Sequence, residues 1–169
     1  MTKSLYYLFF AVLLFTSCKD ENDTVPQSFL NGTYETAGEN TDTGIWYVSQ
    51  YIFNAEGTYE YLHLLRESEH GDDLGYWGYS KGSYSLRGED LVLKMTESFT
   101  LNHEDFPGGY AESLEDLETQ AMSADFVESK GTLKRLDSGE KISLLFECND
   151  MLSGYYSMCM GELVYHRVD

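Results

Sequence analysis

Short apolar runs that recur at regular intervals constrain the fold of this chain more than any other feature of its sequence. Each run is rich in Tyr, Val, Leu, Phe and Thr, and each is bounded by Gly, Asn, Asp or Ser. This spacing is typical of an antiparallel all-β domain. Eight strands are predicted, over residues 29–36, 45–53, 58–66, 75–86, 91–96, 126–136, 141–148 and 155–168.

The connections between these runs indicate how the strands are ordered. Residues 54–57 form a connection of hairpin length that ends in glycine. Sequential strands joined mostly by short turns predict an up-and-down meander, and closing the meander removes its two unpaired edges. We therefore predict an eight-stranded antiparallel barrel. A barrel of this size is either filled by side chains or holds one small ligand.

The segment between the fifth and sixth strands has a different pattern. Residues 111–122 are rich in helix formers, and Leu114, Leu117 and Ala121 are spaced three and four apart. One short acidic helix is predicted here. Two roles remain open for it, because it would either close one end of the barrel or lie on the surface without a role.

Tyrosine is unusually frequent, with 14 Tyr beside 2 Trp. A tyrosine ring is apolar and its hydroxyl is polar, which suits the wall of a partly hydrated cavity. Aromatic residues also favour strands where no ligand binds. Gly78, Ser80 and Gly82 share one face of the fourth strand and would leave interior volume. The candidate cavity residues are the aromatic residues in or beside the strands expected at the barrel mouth: Trp46, Tyr59, Tyr61, Trp77, Tyr79 and Tyr84.

Two cysteines fall in the last predicted hairpin. If Ser153 and Gly154 form a two-residue turn, Cys148 and Cys159 lie directly opposite each other, at a Cα separation of about 5.5 Å. That separation allows a disulfide, which would pin the last two strands. A longer turn would shift the register, and the alternative is two buried free thiols.

The sequence carries no convincing catalytic or metal-binding motif. Residues 78–82 match G-x-S-x-G, but they lead into another strand and not into the helix that this motif requires. Residues 67–73 contain several carboxylates and His70, which are residue types that bind divalent metals. A solvated acidic loop has the same composition and is far more common. We therefore predict no catalytic residue, no metal and no cofactor.

Three segments, FLNGTYET, YIFNAEGTYEY and SKGSYSLRGEDLVL, resemble the lipocalin-like domains of Bacteroidota lipoproteins. The matching positions are glycines and aromatic or aliphatic residues around the first turns: Gly32, Tyr34, Phe53, Gly57, Tyr59, Gly82, Tyr84, Leu86, Gly88 and Leu91. The closing GELVYHRVD resembles the final strand of such domains. The resemblance implies a calycin-type barrel that binds a small hydrophobic or amphipathic molecule.

The N-terminus has the features of a secretory signal. Lys3 precedes an apolar run over residues 5–15, which is shorter than the roughly 20 residues that span a bilayer. Phe15–Cys18 resembles a lipobox, in which the cysteine is lipidated and begins the mature protein, and Lys19–Glu21 resembles a surface-export signal. We expect a signal peptide over residues 1–17, an acidic tether over 18–28 and one domain over 29–169. The alternative is ordinary secretion, with Cys18 lost.

These features define the expected location and function. The lipid on Cys18 would anchor the protein to the outer membrane at the cell surface. The net charge of −18 disfavours nucleic acid and anionic membrane surfaces as partners. The first hypothesis is a non-catalytic protein that binds a small hydrophobic or amphipathic ligand in the cell envelope. The alternative is a structural or interaction module with a filled barrel that contacts another envelope protein, and an enzyme is the third hypothesis.

Overall fold

The computed structural model describes residues 29–121, 128–147 and 161–169, and it is almost entirely antiparallel β-structure. The all-β prediction is therefore confirmed. Its strands are β1 (Gly32–Glu39), β2 (Trp46–Phe53), β3 (Thr58–Arg66), β4 (Asp73–Arg87), β5 (Asp90–Thr100), β6 (Glu118–Thr119), β7 (Glu128–Leu136), β8 (Lys141–Phe146) and β9 (Leu163–Arg167).

Eight of these strands form a ring within a single sheet. Each strand pairs with the next along the chain, from β1 to β5 and then through β7, β8 and β9, and β9 pairs with β1. The two-residue β6 pairs with the far end of β5 outside this ring order. The predicted up-and-down order is confirmed, and the structure is barrel-like. We call the end where β1 begins the lower end and the end where β1 stops the upper end.

Strand bounds differ from the predicted ones at several points. β1 begins at Gly32 instead of Phe29, and β4 and β5 extend over 15 and 11 residues. β5 is longer because its second half continues to pair with β4 as far as Gly78↔Thr100. Predictions that fall on residues 1–28, 122–127 and 148–160 lie outside the described residues; these include Cys18, Cys148 and Cys159.

The helix predicted over residues 111–122 does not form in the described part of that segment. Ala111 instead pairs with Tyr76 through two backbone hydrogen bonds of 2.8 Å, and one 3₁₀ turn (Leu114–Asp116) leads into β6. Pairing with the sheet overrides the helix propensity of this segment. Leu114 packs against Val48, Leu62 and Leu64. This cluster faces outward, so the segment covers the outer face of the sheet and does not close an end of the ring.

The interior of the ring is packed at its lower end. Side chains alternate between the two faces of each strand, so Tyr34, Phe53 and Tyr84 point inward, and all three are at most 5 % exposed. They belong to one apolar cluster that spans the ring, with Leu30, Leu86, Leu91, Leu93, Leu133, Ile142, Leu144 and Tyr165. In the described part of the chain, no helix is long and apolar enough to cross a membrane.

Candidate functional site

A continuous stack of rings runs through the interior along β2 and β3. These strands pair in a register that places Phe53 opposite Tyr59, Tyr51 opposite Tyr61 and Ser49 opposite His63, all on the inward face. One ring from β4, that of Trp77, joins them. We call the stack the aromatic column, and its members from the upper to the lower end are Tyr47, Trp77, His63, Tyr61, Tyr51 and Phe53.

Successive rings of the column lie within stacking distance. Ring centroids are separated by 6.3 Å for Tyr47 and Trp77, 4.2 Å for Trp77 and His63, and 4.5 Å for His63 and Tyr61. The two lower steps measure 4.2 and 5.5 Å. Tyr47 is 46 % exposed, whereas Phe53 is fully buried. The column therefore connects solvent at the upper end with the packed core at the lower end.

A β-bulge places Trp77 in the column. His63 pairs with Gly78 and Leu64 pairs with Tyr76, so Trp77 is an extra residue in β4 without a partner in β3. A bulge changes the direction of the side chain it carries. Strict alternation would have put Trp77 on the same face as Tyr79, but its indole lies against His63.

Two buried polar atoms in the column lack hydrogen-bond partners among the described residues. They are Nδ1 of His63 and Nε1 of Trp77, which belong to neighbouring rings. Burial lowers the pKa of His63 to about 4, so its imidazole is neutral near pH 7. The indole nitrogen is only a donor, whereas a neutral imidazole has one donor and one acceptor nitrogen. Because buried polar atoms in proteins are almost always paired, these two atoms require an explanation.

The lower part of the column is a closed core. Burial raises the pKa of the Tyr61 and Tyr165 hydroxyls there. Burial also raises the pKa of Tyr59 to about 12. These tyrosines stay protonated at all physiological pH values. They contribute packing to the core.

The structure distributes the six predicted cavity residues over three environments. Tyr61 and Trp77 belong to the column. Tyr59 and Tyr84 lie in the packed lower core, where the Tyr84 hydroxyl donates a hydrogen bond of 3.0 Å to the carbonyl oxygen of Asn54.

Tyr79 and Trp46 occupy the opposite face of their strands. The Tyr79 hydroxyl donates to a Glu60 carboxylate oxygen at 3.0 Å, and its ring stacks on Phe99 with centroids 5.7 Å apart. Trp46 shares the outward face of β2 with Val48. The six residues therefore do not form one site.

Sequence reasoning missed His63, Tyr47 and Tyr51. The information that could have found them was present, because the hairpin at residues 54–57 fixes which residues of β2 and β3 lie opposite each other. Following that register upward from Phe53 and Tyr59 gives Tyr51, Tyr61 and His63 in turn.

The glycines expected to leave interior volume have separate roles. A Cβ at Gly78 would lie 3.0 Å from Cδ2 of His63, so the imidazole packs directly on the backbone of β4. A Cβ at Gly82 would lie 2.0 Å from the carbonyl oxygen of Lys94, at a register shift between β4 and β5. Gly82 thus allows a close backbone approach and does not contribute volume.

Of the acidic residues predicted at 67–73, Asp73 takes part in an ion-pair network. Asp73 Oδ1 lies 2.5 Å from Nε of Arg66, which also binds Glu35. Within residues 29–121, 128–147 and 161–169, no three His, Cys, Asp or Glu side chains are grouped so that they could hold a metal ion.

No protein-family model matches the sequence, and no curated protein matches it.

Proposed function

We propose that this protein binds a small, flat, amphipathic molecule without chemically changing it, and that the ligand contacts Tyr47, Trp77 and His63 at the upper end of the aromatic column. The observation that carries the proposal is the pair of buried polar atoms, His63 Nδ1 and Trp77 Nε1, on neighbouring rings and without partners among the described residues. A ligand that hydrogen-bonds to both atoms would remove the cost of burying them.

The shape and charge of the upper column define the ligand class. Exposed Tyr47 offers a ring face at the entrance, and the rings below it favour a flat apolar body. The neutral His63 provides no charge to pair with an ionised group. A ligand with an apolar ring and one or two neutral polar groups fits this arrangement best.

Binding to the column is testable with the neutral fluorescent probe N-phenylnaphthylamine. We expect saturable binding to the whole mature protein, and we expect His63→Phe and Trp77→Phe to weaken it about tenfold. Trp46→Phe is the matched control, because Trp46 lies on the outward face of β2. Equal affinity in all three variants would refute the assignment of the ligand to the column.

The alternative function is a structural or interaction module with a filled interior. The packed lower core favours it, since Tyr34, Phe53 and Ile142 are fully buried there. Under this alternative, the neutral probe shows no saturable binding at any accessible concentration.

The proposal also includes attachment to the outer membrane, at the cell surface, through a lipid on Cys18. It is supported by the lipobox-like sequence at residues 15–18. Cells that express the full chain and are fed radiolabelled palmitate should label it, and Cys18→Ala should abolish the label. Label retained in Cys18→Ala would exclude this anchor, and the cleaved, unlabelled protein in the medium would indicate ordinary secretion.

A further inference from the structure

A cavity that is partly open to solvent lies at the lower end, away from the upper part of the column. Its volume is about 370 Å³, and it opens between the segment before β1, the β7–β8 turn and the end of β9. The residues that matter for its chemistry are Phe29, Arg135, Ser138, Glu140, Arg167 and Asp169. The packed core separates this cavity from Tyr47 and Trp77.

Two of the chain's four arginines line this cavity, and the structure holds both in place. Arg135 donates to the carbonyl oxygen of Ser138, and its guanidinium carbon lies 5.6 Å from the ring centroid of Phe29. Arg167 donates to the carbonyl oxygen of Asn31 at 2.8 Å. Carbonyl and ring contacts fix a guanidinium without neutralising its charge.

The two arginines differ in their carboxylate partners. Arg167 Nε lies 2.9 Å from Oδ1 of Asp169, so its charge is balanced locally. Arg135 has no carboxylate within salt-bridge distance in the described part of the chain, and the Glu140 side chain in the same cavity makes no ion pair or hydrogen bond there. Among the lysines and arginines of the described residues, Arg87 and Arg135 have no carboxylate partner, and of these two Arg135 lines the cavity.

The β7–β8 turn is shaped around Arg135. Asp137, Ser138 and Gly139 all have left-handed backbone conformations, with φ of 46°, 59° and 106°. A Cβ at Gly139 would lie 2.9 Å from Nε of Arg135, so the guanidinium packs against a position that only glycine fills without a shift. Positive φ values are common in tight hairpin turns, and this turn places the Ser138 carbonyl oxygen where it accepts a hydrogen bond from Arg135.

We propose that this cavity is an anion-binding site that accepts a small carboxylate or oxyanion, with Arg135 as the principal contact and Arg167 as the second. A guanidinium presents paired N–H donors that match the geometry of carboxylate and phosphate oxygens. Phe29 gives the site an apolar wall beside Arg135. The site is separate from the column, so either proposal can fail without the other.

The probes for the test are inorganic phosphate and benzoate, added to the whole mature protein at low ionic strength and followed by amide chemical shifts. We expect saturable shifts at residues 138–140, and we expect Arg135→Gln to weaken binding at least tenfold. Arg87→Gln is the matched control, because it makes the same charge change at an exposed turn residue that does not line the cavity.

A second variant tests whether the cavity prefers a negatively charged ligand. Glu140→Gln removes a carboxylate from the cavity and should tighten anion binding several-fold. The proposal is overturned if no saturable shifts occur, if Arg135→Gln binds like Arg87→Gln, or if Glu140→Gln weakens binding. Binding of N-phenylnaphthylamine to Arg135→Gln should match that of the unmodified protein, which separates this site from the column.

Discussion

The Arg66 guanidinium reaches across the outer face of β2 and forms a bidentate salt bridge with Glu35, with N–O distances of 2.8 and 3.0 Å. Its Nε also lies 2.5 Å from Asp73. The Arg66 and Glu35 side chains are only 11 % and 15 % exposed. Three separate parts of the chain, β1, the end of β3 and the start of β4, are therefore tied together by one nearly buried cation.

Removing the Glu35 charge should strongly destabilise the fold. Glu35→Gln leaves Arg66 buried without its bidentate partner, which costs about 3 kcal/mol in the free energy of unfolding. Glu97→Gln is the control, since the Lys81–Glu97 pair is 41 % and 49 % exposed and should contribute less than about 1 kcal/mol. Urea denaturation measures both. Similar small losses in the two variants would mean that burial does not strengthen the Arg66 network.

Stability should fall between pH 6.5 and 4 because of His63. Burial lowers its pKa from 6.5 to about 4, so in this window the unfolded chain takes up a proton that the folded chain does not. The contribution of the neutral imidazole is fully present above pH 6.5 and is lost on acidification, by an amount on the order of 3 kcal/mol.

A variant comparison isolates the effect of His63 from that of the titrating carboxylates. The unfolding free energy of His63→Gln should fall less steeply from pH 6.5 to 4 than that of the unmodified protein. His103→Gln, which changes an exposed histidine, should keep the original slope. An unchanged slope in His63→Gln would show that His63 takes up its proton over the same pH range in the folded and unfolded states.

Two buried tyrosine hydroxyls should respond differently to removal. Tyr84→Phe deletes a hydrogen bond to Asn54 and should lower stability by about 1 kcal/mol. The Tyr34 hydroxyl has no partner with hydrogen-bond geometry among the described residues, although the Arg167 guanidinium lies near this side chain. Tyr34→Phe should therefore leave stability unchanged or raise it slightly. A loss in Tyr34→Phe equal to that in Tyr84→Phe would reveal a hydrogen bond between Tyr34 and Arg167 in solution.

Gly82 should tolerate no side chain. Gly82→Ala puts a Cβ 2.0 Å from the Lys94 carbonyl oxygen, so β4 and β5 must separate, and we expect a loss of about 3 kcal/mol. Gly38→Ala is the matched control in a strand, because no atom lies within 4 Å of its Cβ position. Thermal unfolding of the two variants is the measurement. Equal unfolding midpoints would contradict the close approach of β4 and β5 at Gly82.

Local patterns were sufficient to predict the strands and their order. The turn at residues 54–57 is encoded by its own residues, and it fixes the register of β2 and β3. The same is true of the short connection between β4 and β5, which ends with Arg87 opposite Asp90. Such features depend only on neighbours in the sequence, so one sequence is enough to reveal them.

The side of the sheet to which each side chain points could not be predicted in the same way. Both faces of β2, β3 and β4 are apolar, since the segment around Leu114 covers the outer one. Alternation therefore divides residues such as Tyr61 and Tyr79 into two sets without showing which set is interior. The bulge moves Trp77 from one set to the other. The bulge depends on the pairing of β3 with β4, which no local pattern encodes.

The ring is closed by the pairing of β1 with β9, which we call the seam. Within the described residues, β1 and β9 pair at two positions, Tyr34 with Arg167 and Glu35 with His166. Asn31 and Arg167, which also join across this seam, are 136 positions apart in the chain. β1 comes first in the chain and β9 last, so one edge of β1 stays unpaired until β9 is in place. Contacts between such distant residues slow folding, so a chain that has not yet paired β9 with β1 exposes a strand edge to which other chains can pair.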